Sequence, residues 1–162
     1  MKKVKSMVLL LFGIWFCQTV QAQSLYGYRV TLFNGNNATA NARVIFGNDG
    51  WPPNYGTSPY TPDYDINTLN ATINFRDYSS VDDKVKSAII TGSARLTLTF
   101  YKDADRNYQN DHCIVYIKQD MTGYILNSFE SNYEDDWIKV TYFGSGDLDG
   151  EVSCLSIDSP YH

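Results

Sequence analysis

The chain predicts an all-β fold, a two-sheet Greek-key sandwich, on three observations. Short runs of β-branched and aromatic residues recur along most of its length, and no segment carries an amphipathic helical pattern over three turns. One half of the chain also echoes the other at a spacing of 67 or 68 residues. Eight runs read as strands: Tyr28 to Phe33, Ala42 to Phe46, Thr72 to Phe75, Val85 to Ile90, Ala94 to Tyr101, His112 to Ile117, Trp137 to Tyr142 and Glu151 to Ile157. Clusters of Asn, Gly, Asp and Ser separate them, and 13 tyrosines point to an aromatic-rich interior.

The echo has three anchors. Val30-Thr31-Leu32-Phe33 returns 68 residues later as Leu98-Thr99-Phe100-Tyr101, and Asp82-Asp83-Lys84-Val85-Lys86-Ser87 returns 67 residues later as Asp149-Gly150-Glu151-Val152-Ser153-Cys154. Thr72-Ile73-Asn74-Phe75 matches Lys139-Val140-Thr141-Tyr142, again at 67. A stacked array needs at least three units, so two copies imply a single domain whose halves share one core. The expectation is motif one over 28–91 and motif two over 94–158, with four strands per sheet and a pseudo-twofold placing Thr31 on Thr99 and Val85 on Val152. An immunoglobulin-like sandwich competes poorly: it would place a Trp closer to the first Cys, and the second Cys farther away, than Cys113, Trp137 and Cys154 stand.

Residues 1–22 read as a cleaved signal peptide. Lys2, Lys3 and Lys5 form a basic n-region, Met7 to Phe16 is apolar but too short to span a bilayer, and Val20-Gln21-Ala22 ends on a small residue. Residues 23–162 are then the single mature domain, secreted or periplasmic, with no later membrane span. Removing 22 of 162 residues leaves 140, enough for one core. The signal takes three of the 13 basic residues, leaving 10 against 18 acidic and a formal charge of −8. That balance argues against nucleic acid and is compatible with a cation.

Two connections are long. Residues 47–65 hold four of the five prolines with Trp51, Tyr55, Tyr60 and Tyr64, either a contact loop for a protein or glycan or a Pro-braced flap over the sheet. Residues 118–136 are the counterpart, ending in Glu134-Asp135-Asp136.

Each half resembles a βγ-crystallin Greek-key motif, which opens with an aromatic, six residues, an aromatic, one residue and Gly. It closes with two Asn/Asp, two variable residues, Ser/Thr and Ser. Tyr101, Tyr108 and Asn110 stand at the opening places of the second half, Asn being a suitable non-glycine occupant of a left-handed position. The first half keeps Phe33 but has Ala40 and Ala42 later. The resemblance spans Tyr28 to Ile157. It implies calcium at the closing motifs, where carboxylates, a hydroxyl and carbonyls supply a hard cation's oxygens. One site would contain Asp82, Asp83 and Ser153. The other would contain Asp149, Gly150 and Lys86, a degenerate set in which an ammonium stands where the hydroxyl belongs and a Lys86–Asp149 ion pair replaces the metal. One calcium ion is therefore the expectation.

The resemblance also places Cys154 where the family's last Ser contacts the hairpin, near Cys113, so a Cys113–Cys154 disulfide is expected in an oxidising compartment. A strand lies between the two in the family's order, and only the folded hairpin would bring them within reach. Asp103-Ala104-Asp105-Arg106-Asn107 imitates an EF-hand opening but lacks its Gly and final Glu, and reads as a hairpin tip. His112 and His162 fit neither a zinc spacing nor a nucleophile arrangement, so no enzyme is expected. The sequence thus reads as a secreted, non-enzymatic domain binding one calcium and presenting loops to a protein or glycan. The alternative on the same fold is an exported protease inhibitor or small toxin using the 47–65 loop.

Overall fold

Alternation of buried and exposed residues becomes strand after strand in the computed structural model, which describes residues 27–39, 42–47, 63–65, 70–78 and 81–160, the segments 42–47 and 63–65 as backbone. The strands among them are β1 (Tyr28–Phe33), β2 (Ala42–Gly47), β3 (Asp63–Asp65), β4 (Ala71–Asn74), β5 (Ser87–Gly92), β6 (Thr97–Tyr101), β7 (His112–Ile117), β8 (Met121–Leu126), β9 (Tyr133–Glu134), β10 (Ile138–Phe143) and β11 (Cys154–Asp158). Single 3-10 turns at Asn36–Ala38 and Phe75–Asp77 are the only helical segments among the described residues.

The strands form two sheets, one of five in the order β3-β2-β1-β5-β8 and one of six in the order β4-β11-β6-β7-β10-β9. All pairs are antiparallel except β2 with β3. Val30, Leu32, Ile90 and Leu126 from one sheet meet Leu98, Phe100, Val115, Ile117, Leu155 and Ile157 from the other, all fully buried in one core cluster. Each such side chain contributes roughly 1.5–3 kcal/mol relative to its exposed state. The strand β4 sits beside β11 in the sheet of the later strands, while β8 sits beside β5 in the sheet of the earlier ones. Neither sheet is therefore built from one half of the chain.

Several expectations are corrected. The sheets have five and six strands instead of four each, because β3, β8 and β9 fall within the two long connections. Gly123 hid β8: it adopts φ +70 at a bulge opposite β5 and gives its N–H to Thr91 Oγ1 at 3.0 Å, interrupting the alternation. The match of Thr72–Phe75 with Lys139–Tyr142 is not structural: β4 lies beside β11, whereas β10 lies beside β7. Asn110 is not left-handed; Arg106 carries the positive φ of +60 in the β6–β7 connection, and the Asn110 amide donates to Asp103 Oδ2.

The disulfide is also corrected, for Cys113 and Cys154 are free and buried. Cys113 lies opposite Phe100 and Cys154 opposite Tyr101, with β6 between them. Phe100 and Tyr101 are neighbours in one strand, so the two thiols face opposite sides of the sheet. Cys113 belongs to the core, where burial pushes its thiol up, with Asp149 adding to the shift. Burial likewise pushes Cys154 up to about 11, opposed by the nearby Arg106.

Trp51, Tyr55 and Tyr60 lie outside the described residues, as do the side chain of Tyr64 and residues 1–22. No helix among the described residues is long and apolar enough to cross a membrane.

Candidate cation site

Two turns, Val81–Lys84 before β5 and Leu148–Glu151 before β11, lie against each other. They clasp through reciprocal main-chain hydrogen bonds: Asp83 N–H donates to Val152 O at 3.3 Å, and Gly150 N–H donates to Val85 O at 2.7 Å. Each turn closes on itself in the same way, Lys84 N–H to Val81 O at 3.1 Å and Glu151 N–H to Leu148 O at 3.0 Å. Lys86 N–H then donates to Phe33 O at 2.8 Å, and Ser153 N–H to Tyr101 O at 2.9 Å. Asp83 and Gly150 both sit at positive φ, +51 and +98. Aspartate is among the few side chains that visit this region readily, and glycine occupies it without penalty. Val81, Val85, Leu148 and Val152 are fully buried and anchor both turns.

In the first turn the carboxylates are sparsely satisfied. Ser153 Oγ donates to Asp83 Oδ1 at 2.7 Å across the clasp. Asp82 Oδ1 is buried and has no hydrogen-bond partner. An oxygen left in that state costs about 1–3 kcal/mol unless something else satisfies it. The structure thus brings Asp82 and Asp83, adjacent in the turn, to Ser153 from the other half. Among the described residues no three His, Cys, Asp or Glu side chains gather around one point, so a cation here would draw on the Ser153 hydroxyl and main-chain oxygens as well as the two carboxylates.

In the second turn the carboxylate is fully engaged. Asp149 Oδ1 accepts from Phe129 N–H at 2.7 Å and Asp149 Oδ2 from Ser128 Oγ at 2.6 Å. Burial raises the Asp149 carboxyl above its ordinary range and Glu130 adds to this, while those hydrogen bonds and the Lys86 charge work the other way. Glu130 Oε1 accepts the N–H groups of Leu148 and Asp149, both at 2.7 Å. The corresponding amides of the first turn, Val81 and Asp82, go to the main-chain oxygen of Tyr78 at 2.9 and 3.3 Å.

Lys86 does not make the expected contact ion pair with Asp149. Lys102, Lys118 and Lys139, by contrast, do make contact ion pairs. Lys86 instead lies over Gly150, where an added Cβ would stand 3.3 Å from its Cε. Ser128 and Glu130 escaped sequence reasoning because they act 18 to 21 residues away along the chain, and Ser-Phe-Glu is not a capping signal. His112 is buried, with its ring stacked on Phe143 at 4.8 Å and its Nδ1 2.9 Å from Asn110 O.

Comparison with protein-family models, curated proteins and solved structures finds no match to this chain.

Proposed function

We propose that the chain is an exported, non-enzymatic Greek-key domain of the βγ-crystallin type that holds one calcium ion at Asp82, Asp83 and Ser153. The observation that carries the reading is Asp82 Oδ1, a buried carboxylate oxygen with no partner beside an Asp83–Ser153 hydrogen bond that joins the two halves. Calcium supplies no chemistry beyond charge and coordination; it would occupy the oxygen-rich clasp and tie one half to the other.

Two further observations support a duplicated unit. The turns at Val81–Lys84 and Leu148–Glu151 repeat each other's main-chain hydrogen bonds at the spacing of 67 read from the sequence. Each sheet also takes its β4 or β8 strand from the opposite half, which leaves neither half complete alone. A non-enzymatic role is consistent with His112, whose ring is enclosed by aromatic packing and whose Nδ1 is already engaged. Export rests on the basic, apolar and small-residue pattern of residues 1–22.

Titration calorimetry of the mature protein tests this reading. The expected result is one calcium per chain, with a Kd of about 10⁻⁴ to 10⁻³ M as in extracellular modules. At a hundredfold excess of free calcium over Kd, stability should rise by about 2.7 kcal/mol. Asp83→Ala should abolish both signals. Two equal sites in the unaltered protein, or an undiminished response in Asp83→Ala, would overturn the assignment.

A further inference from the structure

The second turn is fastened to the fold from a distance. Residues 128–130, in the connection between β8 and β9, exchange hydrogen bonds in both directions with residues 148–149. Asp149 takes the Phe129 N–H on Oδ1 at 2.7 Å and the Ser128 hydroxyl on Oδ2 at 2.6 Å. Glu130 returns the contact, its Oε1 accepting the N–H groups of Leu148 and Asp149, both at 2.7 Å. Ser128 Oγ also accepts the Glu130 N–H at 3.1 Å, which closes the 128–130 segment on itself. Phe129 and Leu148 are fully buried, and Phe129 packs on Phe100 with ring centroids 4.5 Å apart. Both segments are thus fixed in the core as well as to each other.

The first turn is closed locally. Its Val81 and Asp82 amides go to Tyr78 O, three and four residues back, and Val81 and Val85 seat its two ends in the core. Asp83 lies between those ends, exposed and at φ +51, a conformation that a side chain holds only when its contacts maintain it. Those contacts come from the second turn. Asp83 N–H donates to Val152 O at 3.3 Å, Ser153 Oγ donates to Asp83 Oδ1 at 2.7 Å, and Gly150 N–H donates to Val85 O at 2.7 Å. Gly150, Val152 and Ser153 all lie within four residues after Asp149, directly downstream of the amides that Glu130 holds.

We infer that Glu130 is a positioning residue for the Asp82, Asp83 and Ser153 site: it fixes the second turn, and the second turn holds Asp83 in its left-handed conformation with the Ser153 hydroxyl against it. For its ligand this rests on the calcium reading; for its geometry it rests on the hydrogen bonds alone. Without Glu130 the Leu148 and Asp149 amides lose their acceptor and turn toward water, and the clasp moves with them. A carboxylate could also favour a nearby cation through charge alone. Glutamine separates the two effects, because it keeps a side-chain oxygen for the amides and carries no charge.

Two measurements on the mature protein test this: calcium titration by calorimetry, and amide hydrogen exchange in chelator. Glu130→Ala should weaken calcium by about tenfold and speed exchange of the Asp83 and Gly150 amides by a similar factor, the loss that follows when hydrogen bonds to a charged group are removed. Glu130→Gln should stay within about threefold of the unaltered protein in both, since its oxygen still accepts. Glu134→Ala, which removes a carboxylate paired with Lys118 and Lys139 on β9, should change neither. Should Glu130→Ala fail to fold, Glu130→Asp, one methylene shorter, takes its place. An unchanged Kd in Glu130→Ala, or an Asp83 amide that exchanges as slowly as in the unaltered protein, would overturn the inference. Equal weakening by Glu130→Gln and Glu130→Ala would overturn it too, leaving Glu130 to act through its charge. Absence of calcium heat even in the unaltered protein would sink the calcium reading, and the exchange rates at Asp83 and Gly150 would then decide by themselves whether Glu130 sets the first turn.

Discussion

At Val81–Lys84 and at Leu148–Glu151 the backbone makes the same bends and the same clasping hydrogen bonds, yet the carboxylates that follow the first residue of each turn live in opposite circumstances. Asp149 has a donor for each oxygen, and Glu130 takes the two amides beneath it. Asp82 has a buried oxygen with none, and its turn rests on a main-chain carbonyl instead. The difference teaches that two turns with one backbone can differ in their polar balance: the second is completed by Ser128, Phe129 and Glu130, while the first keeps a buried oxygen that its own chain leaves unpaired. Backbone equivalence alone would have assigned both the same role.

The largest expected effect separates the turns directly. In chelator, Asp149→Ala strands the Phe129 N–H and the Ser128 hydroxyl, and losing two hydrogen bonds to a charged group should cost about 3 kcal/mol. Asp82→Ala removes an unsatisfied oxygen, so its cost should stay within about 0.5 kcal/mol or turn favourable. Urea midpoints at constant slope measure both. Equal losses would mean that Asp82 is satisfied after all and that the comparison fails.

A second contrast lies three residues after each turn, at Ser87 and Cys154. Ser87 is fully buried, donates to Gly35 O at 2.5 Å and accepts the Ala38 N–H at 3.0 Å, pinning the β1–β2 hairpin. Its counterpart Cys154 makes no such bond to the β6–β7 connection, which is held by Asn110 to Asp103 and by Arg106 Nη1 to Thr72 Oγ1 at 3.1 Å. Ser87→Ala should therefore cost about 2 kcal/mol, through an orphaned amide and carbonyl. Cys154→Ala should cost about 1 kcal/mol, through lost packing alone. The reverse order would show that the connections β1–β2 and β6–β7 are both fastened through this position.

How much of this could be read in the sequence follows from what kind of interaction carries each part. The eight strand runs were visible because burial imposes a period of two on Val30, Leu32, Leu98, Phe100, Val115 and their neighbours. The equivalence of Asp82-Asp83 and Asp149-Gly150 was visible because the repeat keeps chain spacing. Strand β8 was not, since its Gly123 bulge breaks the period, nor was β9, which has only two residues. Ser128 and Glu130 were invisible because the contacts that engage Asp149 join residues with no shared local pattern. The false disulfide followed from choosing partners by proximity to a hairpin; face parity along β6 decides it instead, and parity needs the register.

A third test asks whether charge alone distinguishes the turns. Lys86→Ser removes the ammonium over Gly150 and restores a hydroxyl, but Asp149 stays engaged by Phe129 and Ser128 and Gly150 still lacks a carboxylate. Calcium stoichiometry should therefore remain at one in calorimetry. A second site appearing in this variant would reduce the difference between the turns to a single positive charge.

The smallest effect, and the finest probe of the second turn, is its response to pH in chelator. Burial raises the Asp149 carboxyl despite the Ser128 and Phe129 hydrogen bonds. The protonated form is thus favoured by folding: its contribution is full below the unfolded pKa and is lost as pH rises through the raised value. Asp111 is the internal control. Burial works to raise it too, but the Tyr142 hydroxyl at 2.7 Å and the Asp147 and Ser145 amides outweigh that and lower it. Its contribution is present above the ordinary carboxylate range and is lost as pH falls through the lowered value. Asp149→Asn, which mimics the protonated acid, should therefore lose ground to the unaltered protein less and less as pH rises across about 2 to 7. Asp111→Asn should lose more and more over the same interval. Parallel slopes would mean that the Phe129 and Ser128 donors overcome burial at Asp149, and that the second turn holds its carboxylate charged as an ion site would.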